Sequence, residues 1–427
     1  MSTKRNFLVL LLAMAIAFTS CEDDNPLPGG GDPSENEVVS GQLSENTTWT
    51  KDIIYELENK VVVPDGVTLT IEAGTIIKGQ PGANTLASAL IIARGGKIIA
   101  EGTADEPIIF TSTRDNISVG EKFGTSLGEE DKETWGGLII LGRAPISAEN
   151  GDTESQIEGI PAEEEFGRYG GDDPADNSGI LRFVSLRHGG VSIGDGNEIN
   201  GLTLGGVGTG TVIENVEVFA TLDDGIEFFG GTVDVTNAMV SYQGDDGIDI
   251  DQNYSGTVDN FMVIHGGFDT DEGLEIDGPE GSTYTDGLFT LKNGTLFSVG
   301  GDKPGTPADI KSKAQGTLDN LVFESYVSGK AGLKVRASYT NDCMDSKEDA
   351  FTHLIDASPT LTITGTNFQE TVVVYTSSTA SDQTTSCSVP ESDQKSAEGK
   401  VIADGNATGA DNTQFGWTAA ANAGLLD

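Results

Sequence analysis

From about residue 60 the chain is written in short runs of alternating apolar and polar residues: "VVVPDGVTLTIEAGTIIKG", "SALIIARGGKIIAEGTADEPIIFTST", "WGGLIILGRAPI" and "GILRFVSLRHGG". A two-residue period bounded by Gly, Asn and Asp predicts strands separated by turns, and no window holds the 3.6-residue period of an amphipathic helix. The runs then repeat. "TVIENVEVFATLDDGIEFFGG" is followed by "TVDVTNAMVSYQGDDGIDIDQNYSG" and "TVDNFMVIHGGFDTDEGLEIDG". Gly225, Gly247 and Gly273 fall 22 and 26 residues apart, and Asn215, Asn237 and Asn260 fall 22 and 23 apart. A later unit, "TLDNLVFESYVSGKAGLKV", puts Asn320 and Gly332 in the same roles.

Units this short cannot bury an apolar face alone and must stack. The fold that fits is all-β: a right-handed single-stranded parallel β-helix, a solenoid whose turns lie about 4.8 Å apart. Val, Ile, Leu and Phe point inward, and the recurrent Asn residues form a side-chain ladder at the bends. Residues 46–340 make the β-helix, with acidic, Gly-rich insertions at 114–134 and 143–178 hung as loops on one face. Residues 341–427 are a Ser/Thr-rich C-terminal region, with "TLTITGTNF" and "ETVVVY" as last rungs and "FGWTAAANAGLL" folding back as a cap. An uncovered last rung invites edge pairing.

Charge narrows the function classes. The 427 residues carry 68 acidic against 24 basic side chains, a formal net charge of −44. Such a polyanion repels phosphate backbones, so nucleic acid is not a partner; cations and neutral polymers are. The first residues, "MSTKRNFLVLLLAMAIAFTSC", combine a basic start, an apolar run and a small residue before Cys21, the pattern of a signal peptide spanning 1–20. Residues 21–45, beginning "CEDDNPLPGGGDP", read as an acidic Pro/Gly tether. In an oxidising compartment the remaining two cysteines, Cys343 and Cys387, are expected to pair.

A Cys directly after such a leader resembles the lipobox of bacterial lipoproteins, in which it is lipidated. The acids behind Cys21 are similar to the signal that exports Bacteroidota lipoproteins to the outer face of the outer membrane. "WGGLIILGRAPI", "YGGDDPADNSGILRF" and "DDGIEFFGGTV" resemble the β-helix lipoproteins of that group, related in architecture to pectin-lyase-like proteins. The resemblance covers most of the chain after residue 50. It implies a rod held at the outer membrane by a lipid, facing the exterior.

Within the repeats the acids fall in register. Asp223, Asp245 and Asp271 form one column; Asp224, Asp246 and Glu272 a second; Glu227, Asp249 and Glu275 a third, with Ile226, Ile248 and Leu274 inward between them. Alternation sends Glu227 outward to solvent. Like charges about 5 Å apart repel by roughly 0.8 kcal/mol per pair in water, and by about 3 kcal/mol at an effective dielectric of 20. Three offsets are open: bound divalent cations, protonated carboxyls, or bases on a neighbouring coil. Calcium accepts six to eight oxygens in loose geometry, making Asp223, Asp245, Asp271, Glu227, Asp249 and Glu275 candidate ligands for Ca2+. Lys330 and Lys334 occupy the positions of Asp223 and Glu227 in the later unit, and Lys311 and Lys313 lie nearby. The loop with Asp172, Asp173 and Asp176 has the composition of a calcium site or of a plain turn.

Catalysis is the alternative. Polygalacturonase-type β-helix hydrolases are similar in carrying an Asp on one coil and an Asp pair on the next, as Asp224, Asp245 and Asp246 do here. Paired carboxylates are what glycoside hydrolysis requires. That family's His coil is not matched, since His265 is shifted. The expected function is therefore non-catalytic: a surface-exposed lipoprotein in binding, adhesion or a structural role, contacting a glycan or a surface protein and stabilised by calcium. The alternative is a polysaccharide-degrading hydrolase or lyase.

Overall fold

In a parallel β-helix every strand's backbone groups are paired by the coils above and below, so one coil alone has no ladder to complete. The computed structural model describes residues 36–426 except 83–85, 195–196, 268–269, 301–304, 327–331, 369–374 and 381–384. Cys21, the leader, most of the tether and Lys330 lie outside the described residues. Of the segment read as tether, Glu37–Gln42 is a strand, paired in parallel with residues of Ile54–Val63.

The parallel ladders define three faces. One runs through 68–71, 97–101, 179–182, 212–214, 235–236 and 257–259. The second runs through 76–79, 108–112, 184–187, 216–219, 238–241 and 261–264. From Gly179–Arg187 onward each coil crosses between these faces in a single strand that bends at one left-handed residue. These residues are Phe183, Asn215, Asn237, Asn260, Asn293 and Asn320, with φ between 49° and 60°. Asn tolerates that conformation better than a branched residue, and its amide bonds the next coil. Asn237 donates to Asn215 at 3.0 Å, Asn260 to Asn237 at 2.6 Å, and Asn320 to Asn293 at 2.7 Å. Asn293 belongs to a coil, Phe289–Ser298 followed by Thr306–Ile310, that the repeat pattern passes over.

The third face stacks Leu138–Leu141, Leu202–Gly205, Ile226–Phe229, Ile248–Asp251, Glu272–Ile276, Thr306–Ile310 and Leu333–Tyr339. Its inward residues, among them Leu138, Leu202, Ile226, Ile248, Leu274, Ala308 and Leu333, are buried in the main core. The repeat glycines mark where coils approach most closely. A Cβ on Gly225 would lie 2.5 Å from the carbonyl oxygen of Gly247 and 2.3 Å from Val240, and one on Gly247 2.6 Å from that of Gly273.

The two insertions occupy different faces, not one. Residues 114–134 lie against the second face: Lys78 donates to the carbonyls of Asp115 and Ile117, and Arg187 to that of Lys122. The 143–178 insertion covers the outer side of the third face, where Ile146, Ala148, Ile157, Ile160 and Tyr169 pack with Ile139, Leu141 and Phe229. The C-terminal segment lies along the side of the coil rather than over its last rung. Phe415, Ala419 and Ala420 pack on Phe219, Met239, Met262 and Ile264, and the buried Glu217 carboxylate accepts the N–H groups of Ala419 and Ala420 at 2.9 Å. At the far end, Phe351, Leu354 and Ala397 of two short helices join the main core, and Cys343 and Cys387 are bonded with their Cα atoms 5.5 Å apart.

Candidate metal centre

Strand pairing places Glu227 opposite Asp249, Asp249 opposite Glu275, Glu275 opposite Asp309, and Asp309 opposite Lys334. On the other side Glu227 pairs with Thr203, and Thr203 with Ile139. Along the rod the outer side of the third face thus passes from apolar to acidic to basic.

The acid column does not face solvent as alternation alone predicts. Glu227 and Asp249 are each 6% exposed, Asp224 7%, Asp246 4% and Glu272 4%. Glu227 is roofed by the 143–178 insertion and the segment after it, Asp224 and Asp246 are tied into the backbone of the next coil, and Lys334 lies on Glu272. Asn200, fully buried, donates to Glu227 Oε2 and lies 3.3 Å from Glu158 Oε1. Tyr169 donates to Gln252 at 3.0 Å.

The second acid of each "DDG" has a backbone task. Asp224 Oδ1 accepts the N–H of Asp246 at 2.9 Å, and Asp246 Oδ1 accepts that of Glu272 at 2.6 Å. Each carboxylate thus ties its coil to the next, where an unpaired buried N–H would otherwise carry a desolvation cost.

Ligand-capable oxygens converge in three groups, within 4.8 Å of one another in each: Asp223, Asp224 and Asp245; Asp224, Glu227 and Asp249; and Asp246, Glu272 and Glu275. Of the six residues read as calcium ligands, Asp223 and Asp245 meet in the first group and Glu227 and Asp249 in the second. Glu275 joins the third, and Asp271 joins none. Of the three carboxylates weighed for catalysis, Asp224 and Asp245 come together and Asp246 falls in a different group. Alignment of the repeats missed Asp309, which sits in the overlooked coil, and Glu158, which arrives from the insertion.

Among the described residues, the ion-paired bases of the column lie at its far end. Lys334 bridges Glu272 and Asp309, the latter at 3.5 Å, and Arg336 Nε lies 2.8 and 3.0 Å from the two Asp309 oxygens. Lys311 lies 2.6 Å from Glu275 and 3.3 Å from Asp277. Among the described residues, no Lys, Arg or His forms an ion pair with Asp223, Asp224, Glu227, Asp245 or Asp249.

Titration behaviour follows from that isolation. Burial, then neighbouring carboxylates, hold Asp224, Glu227, Asp246 and Asp249 well above the usual carboxylate range. Burial with the charges of Glu158 and Asp245 pushes Asp223 up to about 8, and burial pushes Glu158 up to about 7. Asp271, more exposed, rises to about 6, burial leading. His265 is fully buried, and burial lowers it to about 3, so it is uncharged at neutral pH.

All ligand atoms in these groups are hard carboxylate oxygens, with no imidazole or thiolate, a donor set suited to calcium or magnesium rather than zinc or copper. The separate Asp172–Asp176 loop is organised as a turn. Asp173 accepts the N–H of Ala175 at 3.0 Å, and Asp176 accepts the Ser178 hydroxyl at 3.3 Å.

Fold and site together define a right-handed parallel β-helix with a roofed acidic column on one face. The sequence profile of the pectate-lyase like beta helix domain matches residues 41–420, and the chain belongs to that family. A pectin methylesterase from Aspergillus niger is similar in its crystal structure over 88% of each chain, at 9% identity and a TM-score of 0.28. No curated protein matches this chain.

Proposed function

We propose that the chain is a lipid-anchored, surface-displayed β-helix of the outer membrane that binds or adheres rather than catalyses, with calcium stabilising its acidic column. The observation that supports a non-catalytic role is the roofing of that column. Asp224 and Asp246 are nearly inaccessible and spend an oxygen each on the backbone of the next coil. Hydrolysis needs an accessible acid and an accessible base, and of Asp224, Asp245 and Asp246 only Asp245 is exposed. The anchor at Cys21 and the exterior location rest on the leader and its acidic neighbours. The partner is a glycan or a surface protein, reached from a rod on a tether.

Membership of a pectate-lyase like family favours a second reading, a polysaccharide-active enzyme using Asp224, Asp245 and Asp246. Incubation with a panel of polysaccharides and assay of reducing ends and unsaturated products separates the two. The proposal expects no turnover; turnover abolished by Asp246→Asn overturns it. The anchor is tested by metabolic labelling with a palmitate analogue, which Cys21→Ala abolishes if Cys21 is the acceptor. Labelling that persists in the variant contradicts the anchor.

A further inference from the structure

We infer that Asp224 bridges two divalent cations, one seated beneath the insertion among Asp224, Glu227 and Asp249, and one at the rim among Asp223, Asp224 and Asp245. This rests on the calcium reading above and specifies how many ions that end of the column takes and which residue they share.

Geometry singles out Asp224. It alone supplies an oxygen to both groups, and the Asp246 N–H on its Oδ1 fixes the direction of the carboxylate. The inner group lies under buried polar cover: Asn200 donates to Glu227 and to Glu158 of the insertion, beside an insertion whose Ile157 and Tyr169 are buried in an apolar cluster with Ile199 and Phe229.

Two atoms beneath that roof point to a ligand independently of the acids' number. Asp249 Oδ1 is buried without a hydrogen-bond partner, although Asp249 is 94% buried as a residue, being only 6% exposed. Asn200 is fully buried, holds Glu227 through its Nδ2, and leaves its own Oδ1 unpartnered. A buried lone pair left unmade costs free energy that a cation at this position removes. With a cation on Glu227, a flip of the Asn200 amide presents Oδ1 as a further neutral oxygen. Charge agrees: among the described residues the five carboxylates of the two groups have no ion-paired base, and two divalent ions leave those five one net negative charge, with Glu158 adjacent. At the rim, exposed Asp245 leaves room for water in the coordination shell, whereas the inner site draws on protein oxygens alone.

The full-length chain, stripped with EDTA and titrated with Ca2+ by isothermal calorimetry, tests the bridge. The wild type is expected to bind two Ca2+. Asp249→Asn and Asp245→Asn are each expected to bind one, losing the inner and the rim ion respectively. Asp224→Asn keeps the oxygen that accepts the Asp246 N–H and so keeps the coil tie, yet weakens both sites more than about a hundredfold, beyond what a lost outer-sphere partner alone gives. A wild-type stoichiometry of one, or an Asp224→Asn chain that retains an undisturbed site, overturns the bridge while the calcium-stabilised column stands. No Ca2+ binding at all overturns both.

Discussion

The two ends of the acidic column share one backbone register and solve the same electrostatic problem differently. At the coils of Glu272–Ile276, Thr306–Ile310 and Leu333–Tyr339, each buried or half-buried acid meets a base one or two coils further on: Glu272 with Lys334, Asp309 with Arg336 and Lys334, Glu275 and Asp277 with Lys311. At the coils of Ile226–Phe229 and Ile248–Asp251, Glu227 and Asp249 are as deeply buried, and among the described residues no base pairs with them. Stacking in register therefore fixes where the charges lie but not what neutralises them. Neutralisation is written into the late coils as lysine and arginine, and is left to protons or cations in the early ones.

The largest effect is expected where the base is already built in. Lys334→Met leaves Glu272 and Asp309, 4% and 2% exposed, short of a shared partner, and breaking a buried pair in this way costs about 3–5 kcal/mol. Urea unfolding followed by circular dichroism should show the loss equally in EDTA and in calcium. A loss that calcium repairs would mean the two ends are not independent.

Asp249→Asn should behave oppositely at the early end, changing sign with the medium. In EDTA it replaces a buried, base-free carboxyl that is costly to ionise with a neutral amide and stabilises; in calcium it removes a ligand and destabilises. The same unfolding curves in both buffers check this, and one sign in both would remove the cation from the comparison.

A smaller effect follows from protonation. Asp223 and Glu158 are raised to about 8 and about 7, above their unfolded values near 4, so the folded chain holds protons that the unfolded chain releases. Their contribution is complete below about pH 4 and is lost as pH rises through 7 to 8. Stability in EDTA should therefore decline from pH 5 to pH 9. Calcium, which displaces those protons, should flatten the decline, and its affinity should rise with pH. A flat profile in EDTA would show that these carboxyls are not held protonated.

Much of this was legible in the repeats. Aligning the glycines puts Glu227, Asp249 and Glu275 in one column and Ile226, Ile248 and Leu274 in the next, as the strand pairing does, because a two-residue period and a close-approach glycine leave one register. The Asn bends were legible for the same reason. The coil holding Asn293 and Asp309 was not, since "KNGTLFSVGG" lacks the acid–glycine signature that marks its neighbours. Nor was the roof. Whether an outward acid meets water or Asn200 and Glu158 depends on where a loop of the 143–200 region packs, and that is decided by Ile146, Ile157 and Tyr169 finding Ile139, Leu141 and Phe229 across the fold. Alternation along a strand distinguishes the inside of the coil from the outside; it does not say what covers the outside. The tail was misplaced for a like reason: its apolar residues match the exposed side of the second face at Met239 and Met262 as well as they would match a last rung.

The central claim is that the early end of the column is completed by divalent cations. Differential scanning calorimetry of the full-length chain at pH 7.5, in EDTA and in millimolar calcium, tests it most directly. The account predicts a melting temperature several degrees higher in calcium, with the difference abolished in Asp224→Asn; identical melting curves in the two buffers would contradict it.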